Sequence, residues 1–567
     1  MALDVCEALV EAGQLTKAQR DLCLEAQSRM ADIGHQVELA DLVISYGFAS
    51  QAAVDLALSQ QLGGEGPRMV PVQLPGSMMR RLGVVPIGLC GTEFHISALG
   101  SLDVDAQAEL LRELNLSGLD ARSIVHVPRD RAVVMKAIHA VQAVDRALLV
   151  QDLSNYSRDT KNGNLLARIT KNLLINALQM RASDIHITAS PDRLENWIKY
   201  RIDSVVTPMF LVDPEAMRVI VSRFKQDAGM DFSNSRTPQD GRFSFQMTTG
   251  AVDVRVSSIP ADTSEALGIR LLDANSILPI PQLFVGHTQV VSRLNAMANA
   301  ITKDGGILLV TGPTGMGKSS TLGSFMRAID RARYRVMTAE DPIENRVPLV
   351  IHTQINEEAG FTFARALRAM VRQDPDVLMV GEIRDTETAE IGVRIAETGH
   401  LLLATLHTDN VPDSVSRLVG MFSDSYRRVG TMALSSLLRG VLNQRLLPRL
   451  CACAKPVSFD PAQMGRLGKS MAYAGETVME RQGCERCNGT GLYGRVALLE
   501  AAFWPKDDEL RREMARILLS GQSATELLRL DGMFYLSREE SLWQLFTSGL
   551  IDARIVQNVM GEVPGDE

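Results

Sequence analysis

The sequence predicts an α/β protein of several domains, and three observations carry that expectation. Its 567 residues exceed the ~250–300 at which a single hydrophobic core stops growing. Two continuous apolar runs, GILLVTG from 306 and HLLLATL from 400, have the length of strands buried on both faces. A glycine-rich turn, GPTGMGKS at 312–319, separates the first run from a helix-forming stretch, which is the strand–turn–helix order of a phosphate-binding loop.

Composition narrows the classes of function. Apolar residues make up 46% and charged residues 22% of the chain, values of an ordinary folded protein that exclude wholesale disorder. A net charge of -8 argues against holding a polyanion over the whole surface, so nucleic acid is not an expected partner. The N-terminal MALDVCEALVEAG has no basic flank before a long apolar stretch and does not read as a secretory signal. No apolar run approaches the ~18–20 residues that span a bilayer. A reducing cytosolic compartment is expected, in which paired cysteines are more often metal ligands than disulfides.

Along the chain, residues 1–64 are rich in Ala, Leu and Gln and read as a helical module. GQLTKAQRDLCLEAQ (13–27) is echoed by GFASQAAVDLALSQQ (47–61), with Thr16 and Ser50 placed as N-caps after a glycine. Unrelated amphipathic helices with matching leucines are the alternative. Gly/Pro punctuation at 62–76 marks a boundary. The runs GVVPIGL, EFHISAL and SIVHVP alternate with helical stretches to give a small α/β module over 65–143. The polar 144–164 reads as a linker. A second α/β unit follows over 165–285, and the largest domain over 286–567 carries the cysteine-bearing stretch 449–492.

The motifs of this last domain point to nucleotide chemistry. Gly312, Pro313, Thr314, Gly315, Met316, Gly317, Lys318, Ser319 and Ser320 form a loop whose amides and following helix N-terminus would face phosphate oxygens. Lys318 would reach the β- and γ-phosphates, and the Ser319 hydroxyl would ligate Mg²⁺. The run Val377–Val380 ends in Gly381–Glu382, which puts a carboxylate at a strand end where it could polarise the attacking water. TAEDPIE (338–344) adds Glu340, Asp341 and Glu344; ordinary acidic turns are the alternative reading for both. His407, after the third buried run, either touches the γ-phosphate or is a structural histidine.

Together GPTGMGKSSTL, TAEDPIE, the stretch from 361 to 410 and GCERCNGTGLYGRVALLE resemble the ATPases of type II secretion and type IV pilus assembly. RASDIHI, KYRID, SRFKQDAGMDFSNSRTPQDGR and VDVRVS extend the resemblance upstream, so that it covers about 165–555. The resemblance implies a PAS-like domain over 165–285 followed by a RecA-like ATPase domain. It further implies a cytoplasmic hexamer, peripheral to the inner membrane, whose ATP hydrolysis drives pilus or pseudopilus assembly through a membrane platform protein. By position, Lys318 and Ser319 match the Walker A residues, Glu382 the Walker B glutamate, Glu340, Asp341 and Glu344 the Asp box, and His407 the His box. Upstream arginines of the family reach the nucleotide, and the matching candidates are Arg201, Arg223, Arg236, Arg242, Arg255 and Arg270. Front modules of some relatives bind cyclic di-GMP through a motif opening with Arg-Leu-Gly. Here HQVEL (35–39) stands in its place, so a docking adaptor is the expected partner of the N-terminal module. The long N-terminal half and the cysteines resemble assembly rather than retraction motors.

Four cysteines close the inventory. Cys451 and Cys453 are spaced C-x-C, and Cys484 and Cys487 C-x-x-C, a zinc signal in a reducing compartment, with two buried apolar pairs as the alternative. The resemblance implies a structural Zn²⁺ away from the ATP chemistry, although its first pair ordinarily has two intervening residues, so the tighter pair must bend to supply two thiolates. Two other functional classes remain open: a RecA-like nucleic-acid motor, disfavoured by the acidic charge, and a nucleotide-switched scaffold, disfavoured by intact Lys318 and Glu382.

Overall fold

The computed structural model describes residues 5–561 apart from 12–13, 33–36, 50–53, 55–68, 71, 73, 75, 117–118, 130, 132–133, 136–145, 190–195, 204, 248–249, 262–264, 274–276, 302–304, 460–475, 485–486 and 488. Among these residues the chain forms several α/β cores, as expected. Helices Val5–Glu11, Lys17–Asp32 and Leu39–Ser45 enclose Leu9, Leu15, Cys23 and Val43. Residues 50–53 and 55–61 of the 47–61 echo and the start of HQVEL lie outside the described residues. A small four-stranded sheet follows between Met69 and His126, and Leu110 and Leu114 of helix Val104–Leu116 pack into its core.

The linker expected over 144–164 is not one. Residues Arg146–Arg158 and Gly163–Gln179 are two helices, joined by a short turn in which Asn162 caps the second by accepting from the Leu165 amide. Leu149, Leu153 and Tyr156 recur at i, i+4 and i+7 and enter one core with Ile169, Leu173 and the upstream sheet. Tyr156 is fully buried and donates to the Thr160 carbonyl at 2.8 Å, and Arg168 clasps Asp152 through two bonds of 2.9 and 2.6 Å. Most polar residues of the segment fall on the exposed face of the first helix, in the turn after Arg158 and at the start of the second helix.

That core covers a six-stranded antiparallel sheet running from Ala182 to Asp273. Helix Pro214–Asp227 lies against it, with Lys225 fully buried and 2.5 Å from Glu265. The Asp203 turn of this sheet docks onto the next domain by accepting from the Gly494 amide at 2.9 Å. The Arg181 guanidinium lies 5.0 Å from the Tyr493 ring beside it.

The large domain is built on eight strands: β1 (Gly306–Thr311), β2 (Val336–Glu340), β3 (Val350–Gln354), β4 (Val377–Val380), β5 (Leu401–Leu406), β6 (Leu438–Leu450), β7 (Leu492–Phe503) and β8 (Phe534–Leu536). Their order is β3-β2-β4-β5-β1-β6-β7-β8, parallel from β3 through β6 and antiparallel thereafter. Both faces are covered, which is why the strands read as unbroken apolar runs. Within β1, Ile307 and Leu309 enter the core with Leu367 and Leu434, while Leu308 and Val310 enter the one with Leu294 and Phe325. Since β1 is followed by a crossover to the non-adjacent β2, the carboxyl ends of β4, β5 and β1 open a crevice at a topological switch point.

Replacing Tyr156 with Ala tests the packing of Arg146–Arg158. The unfolding transition of this core, followed in denaturant, is expected to lose about 3–5 kcal/mol. A change within about 0.5 kcal/mol, as at an exposed site, would restore the linker reading.

Candidate functional site

The phosphate loop closes β1 and opens helix Lys318–Ala328, whose N-cap is Gly317. Gly312 has φ +136°, and a Cβ there would sit 2.3 Å from the Gln444 carbonyl oxygen of β6. The turn therefore depends on glycine at this close approach. Gln444 is itself an organiser. Its buried side-chain amide donates to the Met316 carbonyl at 2.7 Å, and its oxygen accepts from Thr321 at 2.7 Å. Thr314, Gly315 and Ser319 lie exposed on the rim, with Pro313, Met316 and Ser320 half-buried, so the amides of the loop and the helix N-terminus face an open mouth.

Lys318 is 9% exposed and folds back on its own loop, donating to the Gly312 carbonyl at 2.7 Å and the Pro313 carbonyl at 3.0 Å. Burial lowers the ammonium's affinity for its proton, and the nearby charges of Glu382 and Glu344 work the other way. Its Nζ is 3.5 Å from His407 Nδ1, and the other ring nitrogen, Nε2, is 3.2 Å from Glu382 Oε1. Glu382 Oε2 in turn accepts from Arg384 Nε at 2.7 Å, a bond that raises the guanidinium's proton affinity. Lys318, His407, Glu382 and Arg384 thus form one line across the ends of three adjacent strands, β1, β5 and β4. The Glu382 turn is fixed by Gly381, whose amide donates to Ala339 O at 2.8 Å and whose carbonyl accepts from Thr405 Oγ1 at 2.5 Å.

Glu340 behaves differently from the other acids. It is buried at the end of β2 and turned toward β3, where Oε1 accepts from Thr338 Oγ1 at 2.6 Å and lies 2.8 Å from His352 Nδ1. With His352 Nε2 accepting from the Val347 amide at 3.0 Å, Nδ1 carries the proton directed at Glu340. Asp341 and Glu344 are exposed; the first acts electrostatically on Arg384 and the second on Lys318, so both belong to the mouth.

The upstream arginines separate. Arg255 reaches the large domain, donating to the Ile343 carbonyl of the TAEDPIE segment. Arg242 lies opposite it in register and is exposed, as is Arg236. Arg270 donates to Asp184 at 3.0 Å, Arg201 lies 3.8 Å from the same carboxylate, and Arg223 pairs with Asp227 at 3.0 Å. Within one chain, then, Arg255 touches the large domain while Arg201, Arg223 and Arg270 are engaged on their own sheet.

Cys451, Cys453, Cys484 and Cys487 come together with all four sulfurs within 4.8 Å of one another. The separations Cys451–Cys484, Cys453–Cys487 and Cys484–Cys487 are 3.9, 3.9 and 3.7 Å. A tetrahedral zinc with bonds of about 2.3 Å places its sulfurs about 3.8 Å apart, so the donor set fits that ion. The short C-x-C spacing is accommodated by a turn in which the Ala454 amide donates to Cys451 O at 3.0 Å. Burial pushes the Cys451 thiol up to about 11 and Cys453 upward too. At Cys487 burial also acts upward but is outweighed by amide donors from Cys484 and Gly491, which bring it to about 7.

The cysteine element also meets the N-terminal half. Arg449 donates to Leu116 O at 2.9 Å and Arg112 to Gly549 O at 2.8 Å. A cleft of about 1310 Å³ runs between helix Val104–Leu116, the Cys453–Pro456 segment and residues 547–550. Further forward, Thr16 donates to Asp330 at 3.0 Å.

Three residues escaped the sequence reading: Gln444, Arg384 and His352. For Gln444 a signal existed, because Asn443 and Gln444 interrupt the apolar run of β6 and both are buried.

The chain matches the protein family described as type II/IV secretion system protein over residues 159–531. It is 33% identical over 526 residues to the type IV pilus assembly ATPase PilB of Thermus thermophilus, covering 89% of this chain and 57% of that protein. Thus it spans little more than half of that relative's length. With the type II secretion system protein E of Pseudomonas aeruginosa it shares 34% identity over 462 residues, 78% of this chain and 88% of that protein. The X-ray structure of the Legionella pneumophila ATPase DotB has a TM-score of 0.50 at 20% identity, covering 70% of this chain and 96% of that one, which is a likeness of fold.

Replacing His352 with Ala strips the buried Glu340 carboxylate of its ring partner. Denaturant unfolding is expected to register a loss of about 1–3 kcal/mol; an unchanged midpoint would mean that Thr338 alone suffices to hold Glu340.

Proposed function

The chain belongs to the type II/IV secretion system protein family, and we propose that it is a Mg²⁺-dependent ATPase whose hydrolysis powers assembly of a type IV pilus or a type II secretion pseudopilus. The observation that carries this reading is the line Lys318–His407–Glu382 across the ends of β1, β5 and β4, beside a loop of open amides. ATP would lie with its phosphates against the amides of 312–320 and the helix N-terminus. Lys318 would exchange its two loop carbonyls for phosphate oxygens, a stronger, charge-assisted partnership. The exposed Ser319 hydroxyl, with the carboxylates of the mouth nearby, would hold Mg²⁺, which would supply neutralisation of phosphate charge when bound. Glu382 orients the water for in-line attack on the γ-phosphorus and accepts its proton, the β–γ bridging oxygen leaves with ADP, and the γ-phosphoryl departs as inorganic phosphate. His407, between Lys318 and Glu382, registers whether the γ-phosphate is present. Glu340 is better supported as a carboxylate that sets the β2 end than as the base itself, because its oxygen is committed to Thr338 and His352.

The remainder of the reading concerns assembly. Exposed Arg236 and Arg242 beside the engaged Arg255 support an arrangement in which arginines of the upstream sheet reach nucleotide on closure, within a hexameric ring. The unit that carries them begins at Arg146 rather than at 165, since helix Arg146–Arg158 shares its core. The four cysteines act as a closed structural zinc site, and the N-terminal module docks an adaptor rather than cyclic di-GMP. A membrane platform protein receives the work, with the motor cytoplasmic and peripheral to the inner membrane. Among the described residues no helix is long and apolar enough to cross a membrane.

Glu382→Gln is expected to lower ATP turnover by about 10²–10⁴-fold, the range for a lost general base, while a fluorescent ATP analogue still binds. Turnover that persists in this variant would sink the assignment of Glu382, and turnover that rises several-fold with added DNA would favour a nucleic-acid motor. Elemental analysis of the purified chain should find one zinc per chain, lost in Cys453→Ser together with a lower melting temperature. Zinc-free protein with all four thiols alkylated by a mild reagent would show instead two cysteine pairs without a metal.

A further inference from the structure

Four consecutive carbonyl oxygens after β5 each accept a hydrogen bond from a side chain. Arg417 Nη1 donates to His407 O at 3.2 Å, Asn443 Nδ2 to Thr408 O at 2.9 Å, Arg538 Nη2 to Asp409 O, and Ser414 Oγ to Asn410 O at 2.7 Å. Loops ordinarily leave such groups to water, so the segment that presents His407 is held with unusual completeness. Two of the donors, Arg417 and Ser414, sit on helix Val411–Gly420, which the loop itself begins, and Asn443 lies on β6. Arg538 alone comes from the C-terminal part of the domain, 129 residues beyond the carbonyl it holds.

The position of Arg538 is itself fixed. It is the first residue of helix Arg538–Thr547, whose start is locked by a capping box between Ser537 and Glu540. Leu536, two residues earlier, pairs with Ala501 of β7. The neighbouring β7 residue, Glu500, is a buried carboxylate, and its Oε2 lies 3.7 Å from Arg538 and accepts from the Val411 amide at 3.3 Å. Its other oxygen accepts from Tyr535 at 3.1 Å. Arg538 also donates to Asn443 Oδ1 at 3.2 Å, and Asn443 Nδ2 donates to Thr311 Oγ1, at the last residue before the phosphate loop, at 3.1 Å. One guanidinium therefore ties the His407 loop, the strand beneath the phosphate loop and a buried carboxylate into a single network.

Setting a half-buried guanidinium beside a buried carboxylate is a poor way to stabilise a fold, because desolvation offsets the attraction. What a planar, multiply donating cation does supply is geometry. We propose that Arg538, anchored by Glu500, is a positioning residue for ATP hydrolysis: by gripping the Asp409 carbonyl and Asn443 it holds the His407 imidazole at the spacing that bridges Lys318 and Glu382. The inference rests on the reading of this site as an ATPase in which His407 registers the γ-phosphate. Arg538 does not touch nucleotide, so its loss should act on turnover rather than on binding.

The test uses the full chain, with ATP turnover, binding of a fluorescent ADP analogue and thermal melting measured for Arg538→Ala, Arg538→Gln, His407→Ala and the double variant Arg538→Ala/His407→Ala. Arg538→Ala is expected to lower kcat at least about tenfold, as a displaced catalytic loop does, with ADP affinity within about twofold of the parent. Arg538→Gln, which keeps one donor for Asp409 O, should recover part of that loss, and it carries the test if the alanine variant does not fold. In the His407→Ala background the second substitution should add nothing, the non-additivity of groups acting in series. Full additivity, or wild-type turnover in Arg538→Ala, would overturn the positioning role and leave the ATPase reading standing. A parent chain that does not turn over ATP, or His407→Ala with the parent's kcat, would overturn the premise and the inference with it.

Discussion

Parallel pairing of β1 between β5 and β6 is the constraint on which the chemistry of this domain depends. Thr311 lies opposite Leu406 in one ladder and opposite Asn443 in the other. That register brings the residue before the phosphate loop, the residue before His407 and the polar pair Asn443–Gln444 to one edge. Next along, Val380 opposite Ala404 delivers Glu382 to the same edge. A slip of one residue in either ladder would turn each side chain to the opposite face and break the line from Lys318 to Glu382. Because β1 and β5 are buried on both faces, their apolar residues do not distinguish one register from the next, and the polar residues at the strand ends do.

The polar groups at that edge are satisfied by one another rather than by water. Thr408 Oγ1 lies 2.7 Å from Ser414 Oγ, which is 3.0 Å from Thr311 Oγ1, and Thr311 Oγ1 in turn accepts from Asn443. In a low-dielectric interior such a network is stiff when complete and costly when broken. It therefore holds the His407 segment and the end of β1 as one body. The same economy explains Gln444, whose two ends bind the Met316 carbonyl and the Thr321 hydroxyl and so tie the loop to the first turn of the helix that follows it.

What could be read in the sequence was what a short stretch of backbone determines. The phosphate loop was legible because its glycines answer to local dihedral angles and one close approach, at Gly312. Glu382 was legible because a short apolar run ending in an acid defines a strand end. The segment 144–164 was misread because a helix packed by three residues, Leu149, Leu153 and Tyr156, shows mostly its wet face to a reader of composition. His352, Gln444 and Arg538 act on partners 12, 128 and 129 positions away, distances at which spacing carries no information and only the sheet order decides. The candidate arginines could not be told apart for the same reason: Arg255 and Arg270 occupy equivalent strand positions, paired with one another in register, yet one meets Ile343 and the other Asp184.

The contacts of Lys318 show how such a site can be selective. Its ammonium is buried and holds two carbonyls of its own loop, so its donors are engaged. Exchanging neutral carbonyls for phosphate oxygens gains the difference between two kinds of bond, not the whole of one, because the existing bonds must break. A lone chloride or carboxylate could satisfy the lysine but would forgo the amides of 312–320. Only a ligand carrying successive phosphates meets both at once.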